Sequence, residues 1–164
     1  MNAHCFLESP VGRLTLVASE QALHAVLWEK DDPARVPIDE GKWTPDHPIL
    51  VATVRQLEAY FRRELRAFEL PLEPMGTPFQ QQVWQQLLAI PYGQTRSYGQ
   101  LAVALGDPKR ARAVGAANGR NPISIIVPCH RVIGTSGKLT GFAGGLEAKQ
   151  RLLALEVGQL SLAD

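Results

Sequence analysis

Ser97-Tyr98-Gly99-Gln100-Leu101-Ala102-Val103-Ala104-Leu105-Gly106-Asp107-Pro108-Lys109-Arg110-Ala111-Arg112-Ala113-Val114-Gly115-Ala116-Ala117-Asn118 contains two helix starts separated by one stop. Ser97 can cap a short helix over Tyr98–Leu105, which Gly106 ends, and Asp107-Pro108 gives a second cap followed by proline. That signal predicts a further helix through Lys109–Asn118. Two short helices around a tight glycine turn make a helix-turn-helix. The second helix mixes Lys109, Arg110 and Arg112 with Ala111, Ala113, Gly115, Ala116 and Ala117. Small side chains let a helix lie close to another surface, and flanking arginines suit phosphates. A tightly packed interior helix with a basic edge fits the same residues.

Working outward, Thr77-Pro78 repeats the cap-and-proline signal, and Phe79, Val83, Trp84, Leu87 and Leu88 fall on one helical face before Pro91-Tyr92-Gly93. Downstream, the prolines at 122 and 128 bias Asn121 and Val127 away from helix, so the β-branched run between them reads as buried and irregular. Ser136-Gly137 and Gly144-Gly145 bracket Lys138–Ala143 as a wing or active-site loop. Leu146–Glu156 reads as a last helix with Leu146, Leu153 and Ala154 facing inward. At the other end, His4–Glu8, Arg13–Ala18 and Leu23–Trp28 are short strands, with Ser9-Pro10-Val11-Gly12 turning between the first two. Proline-rich Asp31–Pro48 reads as a loop. Leu50, Val54, Leu57, Phe61, Leu65 and Phe68 recur at helical spacing.

Pro71 and Pro74 begin a linker to Gly76, and the charge changes sign there. Residues 1–76 carry eight Lys and Arg against twelve Asp and Glu, net −4; residues 77–164 carry nine against four, net +5. The boundary is therefore expected at 1–75 and 76–164, with the second domain facing a polyanion. A chance excess of cations on a solvated face gives the same numbers. No apolar run is long enough to span a membrane, and the N-terminus does not read as a secretory signal. Cys5 and Cys129 do not make a disulfide framework, and both read as free thiols in a reducing cytoplasm.

Cys129 follows the buried run and precedes His130 and Arg131. A neighbouring imidazole or cation lowers a thiol's pKa, and the thiolate is the nucleophile. Neighbours on an extended chain point apart, so an inert buried cysteine remains the other reading of this dipeptide. Pro128-Cys129-His130-Arg131-Val132, preceded by Asn121-Pro122 and by Arg110-Ala111-Arg112-Ala113-Val114-Gly115, resembles the O6-alkylguanine–DNA alkyltransferase family in its stand-alone bacterial type. The likeness runs from about Gly76 to Glu156. It takes in Thr77-Pro78-Phe79-Gln80, Ile90-Pro91-Tyr92-Gly93, Ser97-Tyr98-Gly99-Gln100-Leu101-Ala102 and Gly144-Gly145-Leu146. The first half is similar more loosely, through Ser9-Pro10-Val11-Gly12, Leu14-Thr15-Leu16 and Tyr60-Phe61.

The resemblance implies an α+β fold: a small RNase H-like α/β domain, then an α-rich, winged-helix-like helix-turn-helix domain carrying the reactive cysteine. It implies irreversible, one-to-one transfer of an alkyl group from O6-alkylguanine, and from O4-alkylthymine, to Cys129. His130 would take the thiol proton through a water, and Glu156 would orient His130, a relay similar in role to hydrolase triads. Tyr98 would protonate the departing guanine, Asn121 would act as a hinge, and Arg112 would fill the space left by the flipped base. Ala113, Gly115, Ala116 and Ala117 would lie in the minor groove with Arg110 and Arg120 beside phosphates. Ser124, Val132, Phe142, Ala143 and Gly144 would line the base pocket. No cofactor is implied, and the free protein would be a cytoplasmic monomer whose partner is duplex DNA.

Phe142 stands where many members carry tyrosine, Ala143 where some carry serine, and Ser124 where the human relative has proline. Losing that proline is expected to weaken packing against benzyl adducts. Some relatives hold zinc near the N-terminus. Here His4, Cys5, His24 and His47 are present, but Ser19 replaces the partner cysteine of His24, so no metal is expected. Trp28 and Trp84 read as core, and Trp43 has no assigned role. Two rival classes share these features: a damage sensor that binds without transfer, and a cysteine hydrolase that turns over repeatedly.

Overall fold

The computed structural model of the 164-residue chain describes residues 1–134, 136–137, 139 and 141–158. Strands β1 (Ala3–Ser9), β2 (Gly12–Ala18) and β3 (Leu23–Trp28) form an antiparallel meander, with Cys5 opposite Leu16 and Leu7 opposite Leu14. Alternation puts Ala3, Cys5 and Leu7 on the inner face and His4, Phe6 and Glu8 outside. The proline-rich stretch is loop apart from β4 (Lys42–Trp43), which adds in parallel to β1 and gives the order β3-β2-β1-β4. The loop also covers the back of the sheet, where Val36 and Ile38 pack on Val17, Ala25 and Leu27.

Helix α1 (Pro48–Phe61) lies on the inner face and buries Leu50, Thr53, Leu57 and Tyr60. It ends seven residues before the expected Phe68. Glu64 N–H bonds to Ala59 C=O, Arg63 N–H bonds to Tyr60 C=O, and Arg63 takes the left-handed conformation at φ 63°. These paired bonds close the helix end as a Schellman motif. Phe68 then returns as loop to within 5.6 Å of the Tyr60 ring, so its apolar character serves packing and not helical continuation.

Helix α2 (Pro78–Leu88) begins with a reciprocal cap between Thr77 and Gln80, and buries Val83, Trp84 and Leu87; Leu88 points outward. Strand β5 (Arg96–Ser97) leads into α3 (Tyr98–Ala104), capped by Ser97 and Gln100. The predicted helix from Lys109 divides into a 3-10 turn over Pro108–Arg110, capped by Asp107, and α4 (Ala111–Gly119). A second 3-10 turn, Cys129–Arg131, leads to β6 (Val132–Ile133), which pairs in parallel with β5. Helix α5 (Leu146–Val157) closes the described chain. Its inward face is Ala148, Lys149, Leu152, Leu155 and Glu156, whereas Leu146 is exposed and Leu153 and Ala154 are half-buried. The expected face missed this because two of the inward residues are charged. Of the loop expected at Lys138–Ala143, Lys138 and Thr140 lie outside the described residues.

One apolar core joins both halves, from Leu7 and Leu16 through Tyr60 and Trp84 to Leu155. Edge strand β3 carries part of that union: it meets Leu72 through Leu23 and Ile123 through Val26, with Val26 N–H donating to Pro122 C=O.

Candidate active site

The segment from α4 to β6 is shaped by Asn121, which is fully buried. Its Nδ2 donates to Val127 C=O at 2.8 Å, and its Oδ1 accepts from Ile123 N–H at 3.0 Å. This brace folds 121–127 into a compact turn in which Ile125 takes φ 72°. A β-branched residue in that region is strained, and such residues persist only where the surroundings over-determine them. From outside, Arg35 pairs with Asp31 at 2.7 Å and donates to the carbonyls of Asn121 (2.8 Å) and Gly119 (3.2 Å).

The 3-10 turn at Cys129–Arg131 replaces the extended chain expected there. With three residues per turn, the successive side chains leave the axis in three directions. His130 and Arg131 both reach Glu156 on α5. His130 Nε2 lies 2.6 Å from Glu156 Oε2; Arg131 Nε donates to Oε1 at 2.8 Å and Nη2 to Oε2 at 3.0 Å. Gly93 N–H adds a bond to Oε1 at 3.2 Å, and Arg131 Nη1 donates to Ile90 C=O. A further donor comes from the other half of the chain: Tyr60 Oη–H, on α1, bonds to Glu156 Oε2 at 2.6 Å.

Burial pushes the Glu156 carboxyl up, but His130 and then Arg131 outweigh it and hold the pKa at about 2. Burial lowers the His130 imidazole below its ordinary value, with Glu156 opposing. An ionised carboxylate only accepts hydrogen bonds, so Nε2 carries the imidazole proton. Nδ1 is buried and has no hydrogen-bond partner among the described residues. The His130–Glu156 pair therefore presents one unprotonated nitrogen, on the residue next to Cys129. Cys129 is 5% exposed, and burial raises its pKa; hydrogen bonding from Asn121, the charges of Arg35 and Lys149, and the Ser124 hydroxyl pull the other way.

Of the residues expected to line a base pocket, Ser124, Phe142 and Gly144 contact Trp28, and Val132 and Phe142 lie beside Lys149. Ser124 and Val132 are buried, Phe142 and Gly144 half-buried, and Ala143 exposed. Lys149 is wholly buried; its Nζ donates to Val132 C=O at 2.6 Å and lies 5.9 Å from the Phe142 ring centre. Trp28 is core, as expected, but it also borders this site. Tyr60, Arg131, Lys149 and Trp28 were not marked by sequence reasoning. A positive charge beside the reactive motif and a lysine on an otherwise apolar helix face were the available signals for two of them.

Helices α3 and α4 present the expected basic surface with changes. Tyr98 begins α3 half-buried, and a Cβ at Gly115 would stand in ordinary contact with its ring, at 3.7 Å. Arg112 and Ala116 are exposed, and Ala113 and Gly115 are half-buried. Ala117, expected in the groove, is instead turned inward at 3% exposure, and its carbonyl accepts from Trp84 Nε1 at 2.9 Å. Its smallness serves the α2–α4 contact. Arg110 stacks on Phe79, 3.9 Å from the ring centre, and Arg120 donates to Ala34 C=O at 3.1 Å. The interior-helix reading thus fits the face that carries Val114, Ala117 and Asn118, while Arg112 and Ala116 lie exposed.

Two family models match the chain: the ribonuclease-like domain of 6-O-methylguanine DNA methyltransferase over residues 3–74, and the DNA binding domain of the same family over residues 78–158. A methylated-DNA–protein-cysteine methyltransferase of Mycobacterium bovis is 52% identical over 152 residues, covering 92% of this chain and 89% of the relative. One from Methanosarcina acetivorans is 48% identical, covering 93% of this chain and 97% of its own. Among solved structures, Mycobacterium tuberculosis OGT in complex with DNA superposes with a TM-score of 0.88 at 48% identity, covering 98% of this chain and 96% of that one.

Proposed function

The chain belongs to the 6-O-methylguanine DNA methyltransferase family, and from that premise we propose that Cys129 is the acceptor sulfur, served by His130, Glu156, Tyr98 and Asn121. The activity is transfer of a methyl group from methylated DNA to a protein cysteine, a direct reversal of damage. The observation that supports the choice of Cys129 is the buried His130–Glu156 pair beside it, with Nδ1 of His130 free to accept a proton. Cys5, on β1, makes no hydrogen bond to a base among the described residues, and burial raises its pKa.

In this reading the Cys129 thiol passes its proton through a water to His130 Nδ1, and Glu156 balances the imidazolium. The thiolate attacks the saturated carbon on guanine O6. The S–C bond forms as the C–O6 bond breaks, and the Tyr98 hydroxyl gives the departing guanine its proton. The product is a thioether with no polarised carbonyl for water to attack, so each molecule reacts once. O6-alkylguanine is the main substrate and O4-alkylthymine a second. The target atom sits inside the duplex, so the nucleotide is flipped out, with exposed Arg112 entering the stack behind it. Ala113, Gly115 and Ala116 allow α4 to approach the minor groove, and phosphate contacts supply most of the affinity. The free protein acts as a cytosolic monomer, with its domain boundary at residues 75 and 76.

Peptide and intact mass spectrometry after mixing with a duplex containing one O6-methylguanine tests this directly. The expected result is one methyl gain on the peptide containing Cys129, saturating at one per protein. Binding without mass gain would move the protein to the damage-sensor class, and repeated turnover would move it to the hydrolases.

A further inference from the structure

Trp28 ends β3, in the N-terminal half, yet its indole meets Ser124, Phe142 and Gly144 of the C-terminal half. Its Nε1–H donates to Ser124 Oγ at 3.1 Å, across 96 residues of sequence. Its ring meets Phe142 edge-on at 5.4 Å between centres. A Cβ placed on Gly144 would fall 2.7 Å from three atoms of the indole, so only glycine lets the loop close over it. Trp28 thus touches three of the residues expected to line the base pocket, from beneath and from the side.

We propose that Trp28 is a positioning and specificity residue of the transfer site: its N–H orients the Ser124 hydroxyl toward Cys129, and its ring sets the width of the pocket that admits the alkylated base. An indole N–H can only donate, so Ser124 Oγ is the acceptor in their bond. The hydroxyl's single proton is thereby left for another acceptor. In this proposal that proton goes to Cys129 Sγ, on which the Ser124 hydroxyl acts in the direction of the thiolate, against the larger effect of burial. The ring acts separately, because Phe142 and Gly144 rest on it and cannot move inward while it stays. This inference rests on Cys129 being the acceptor.

Trp28→Phe, Trp28→Leu, Ser124→Ala and the double variant Trp28→Phe/Ser124→Ala would be compared with the unaltered protein. The readouts are Cys129 thiol pKa, from the pH dependence of iodoacetamide labelling, and single-turnover rates on duplexes holding O6-methylguanine or O6-benzylguanine. Trp28→Phe and Ser124→Ala should each raise the thiol pKa and slow methyl transfer by about tenfold, the scale of one hydrogen bond to a charged atom. The double variant should be no slower than Ser124→Ala alone, since both changes act through one bond. Trp28→Leu should raise the benzyl-to-methyl rate ratio several-fold. Additive effects, or an unmoved thiol pKa in folded Ser124→Ala, would overturn the positioning role. An unchanged rate ratio in Trp28→Leu, even with a lower melting temperature, would overturn the specificity role. Should Trp28 variants not fold, Ser124→Ala still decides the positioning role, and Phe142→Ala, which opens the same wall from the opposite side, decides the specificity role by the same ratio. Failure of the unaltered protein to gain a methyl on Cys129 would remove the underlying reading instead, so the two failures are distinguishable.

Discussion

The N-terminal and C-terminal halves handle buried polarity in opposite ways. Among the described residues of the first half, Thr53 is the sole polar side chain classed with the core, and its hydroxyl only returns to Ile49 C=O one turn back. The second half buries Asn118, Asn121, Ser124, His130, Arg131, Lys149 and Glu156. Burying a charge is costly unless it is paired and hydrogen-bonded, and here Glu156 receives five bonds from four residues. The first half has a mainly apolar interior, and it lends the second a tyrosine, a tryptophan and an arginine. The contrast teaches that this polar interior is held together at one fully bonded carboxylate, so removing Glu156 should harm it out of proportion.

The comparison breaks most readily at Glu156. Glu156→Gln strips the counter-charge from buried Arg131 and should cost roughly 3–5 kcal/mol in urea unfolding. Alkyl transfer should slow by about a hundredfold or more with the relay base unsupported. A loss below about 1 kcal/mol would mean the interior tolerates an unpaired charge, and the contrast between the halves would fail.

Acid tests the same network without mutation. The Glu156 carboxyl, depressed to about 2 from 4.5, contributes stability that is present above its unfolded value and lost as pH falls toward the folded one. Unfolding free energy should therefore drop between about pH 4.5 and 2, on the order of 3 kcal/mol from this group. His130, depressed by burial from 6.5, adds a loss that begins as pH falls below that value. Glu156→Gln should flatten the lower window; parallel acid profiles for the two proteins would contradict the assignment.

Tyr60→Phe sharpens the comparison, because it removes the one hydroxyl that the first half gives to Glu156. Burial and Glu156 keep that phenol well above its usual pKa, so it stays a donor. The expected cost is about 1.5–3 kcal/mol, less than for Glu156→Gln since four bonds to the carboxylate remain. The smallest effect belongs to Thr53→Val, which should change stability by less than about 0.5 kcal/mol in thermal melts. A loss as large as that of Tyr60→Phe would show that the first half also depends on its buried polarity.

Much of this was legible in the sequence for local reasons. Caps at Thr77, Ser97 and Asp107 act within three residues, so their helices could be read directly, and the strands followed from alternation. Cys129, His130 and Glu156 were singled out through a motif and a resemblance, and the last two are bonded to each other. Tyr60, Trp28 and Arg131 were not, because an aromatic on an apolar stripe looks the same whether its polar atom meets solvent or a carboxylate 96 residues away. The inward face of α5 was misjudged on the same ground: Lys149 and Glu156 read as solvent-facing until their partners are in place. The end of α1 was hidden for another reason, since Arg63 occupies a position where glycine would have announced the stop.

Cys129 is nearly closed to solvent, and its thiol is held above the ordinary range. In the single-reaction scheme proposed above, each stray meeting of Cys129 with a small oxidant or electrophile would take a molecule out of service. A sulfur that is mostly protonated and walled in is a slow target for such agents. On that scheme selectivity resides in admission: a lesion would be led to the sulfur by the surface that binds its DNA, and whatever cannot be led there would leave the protein intact.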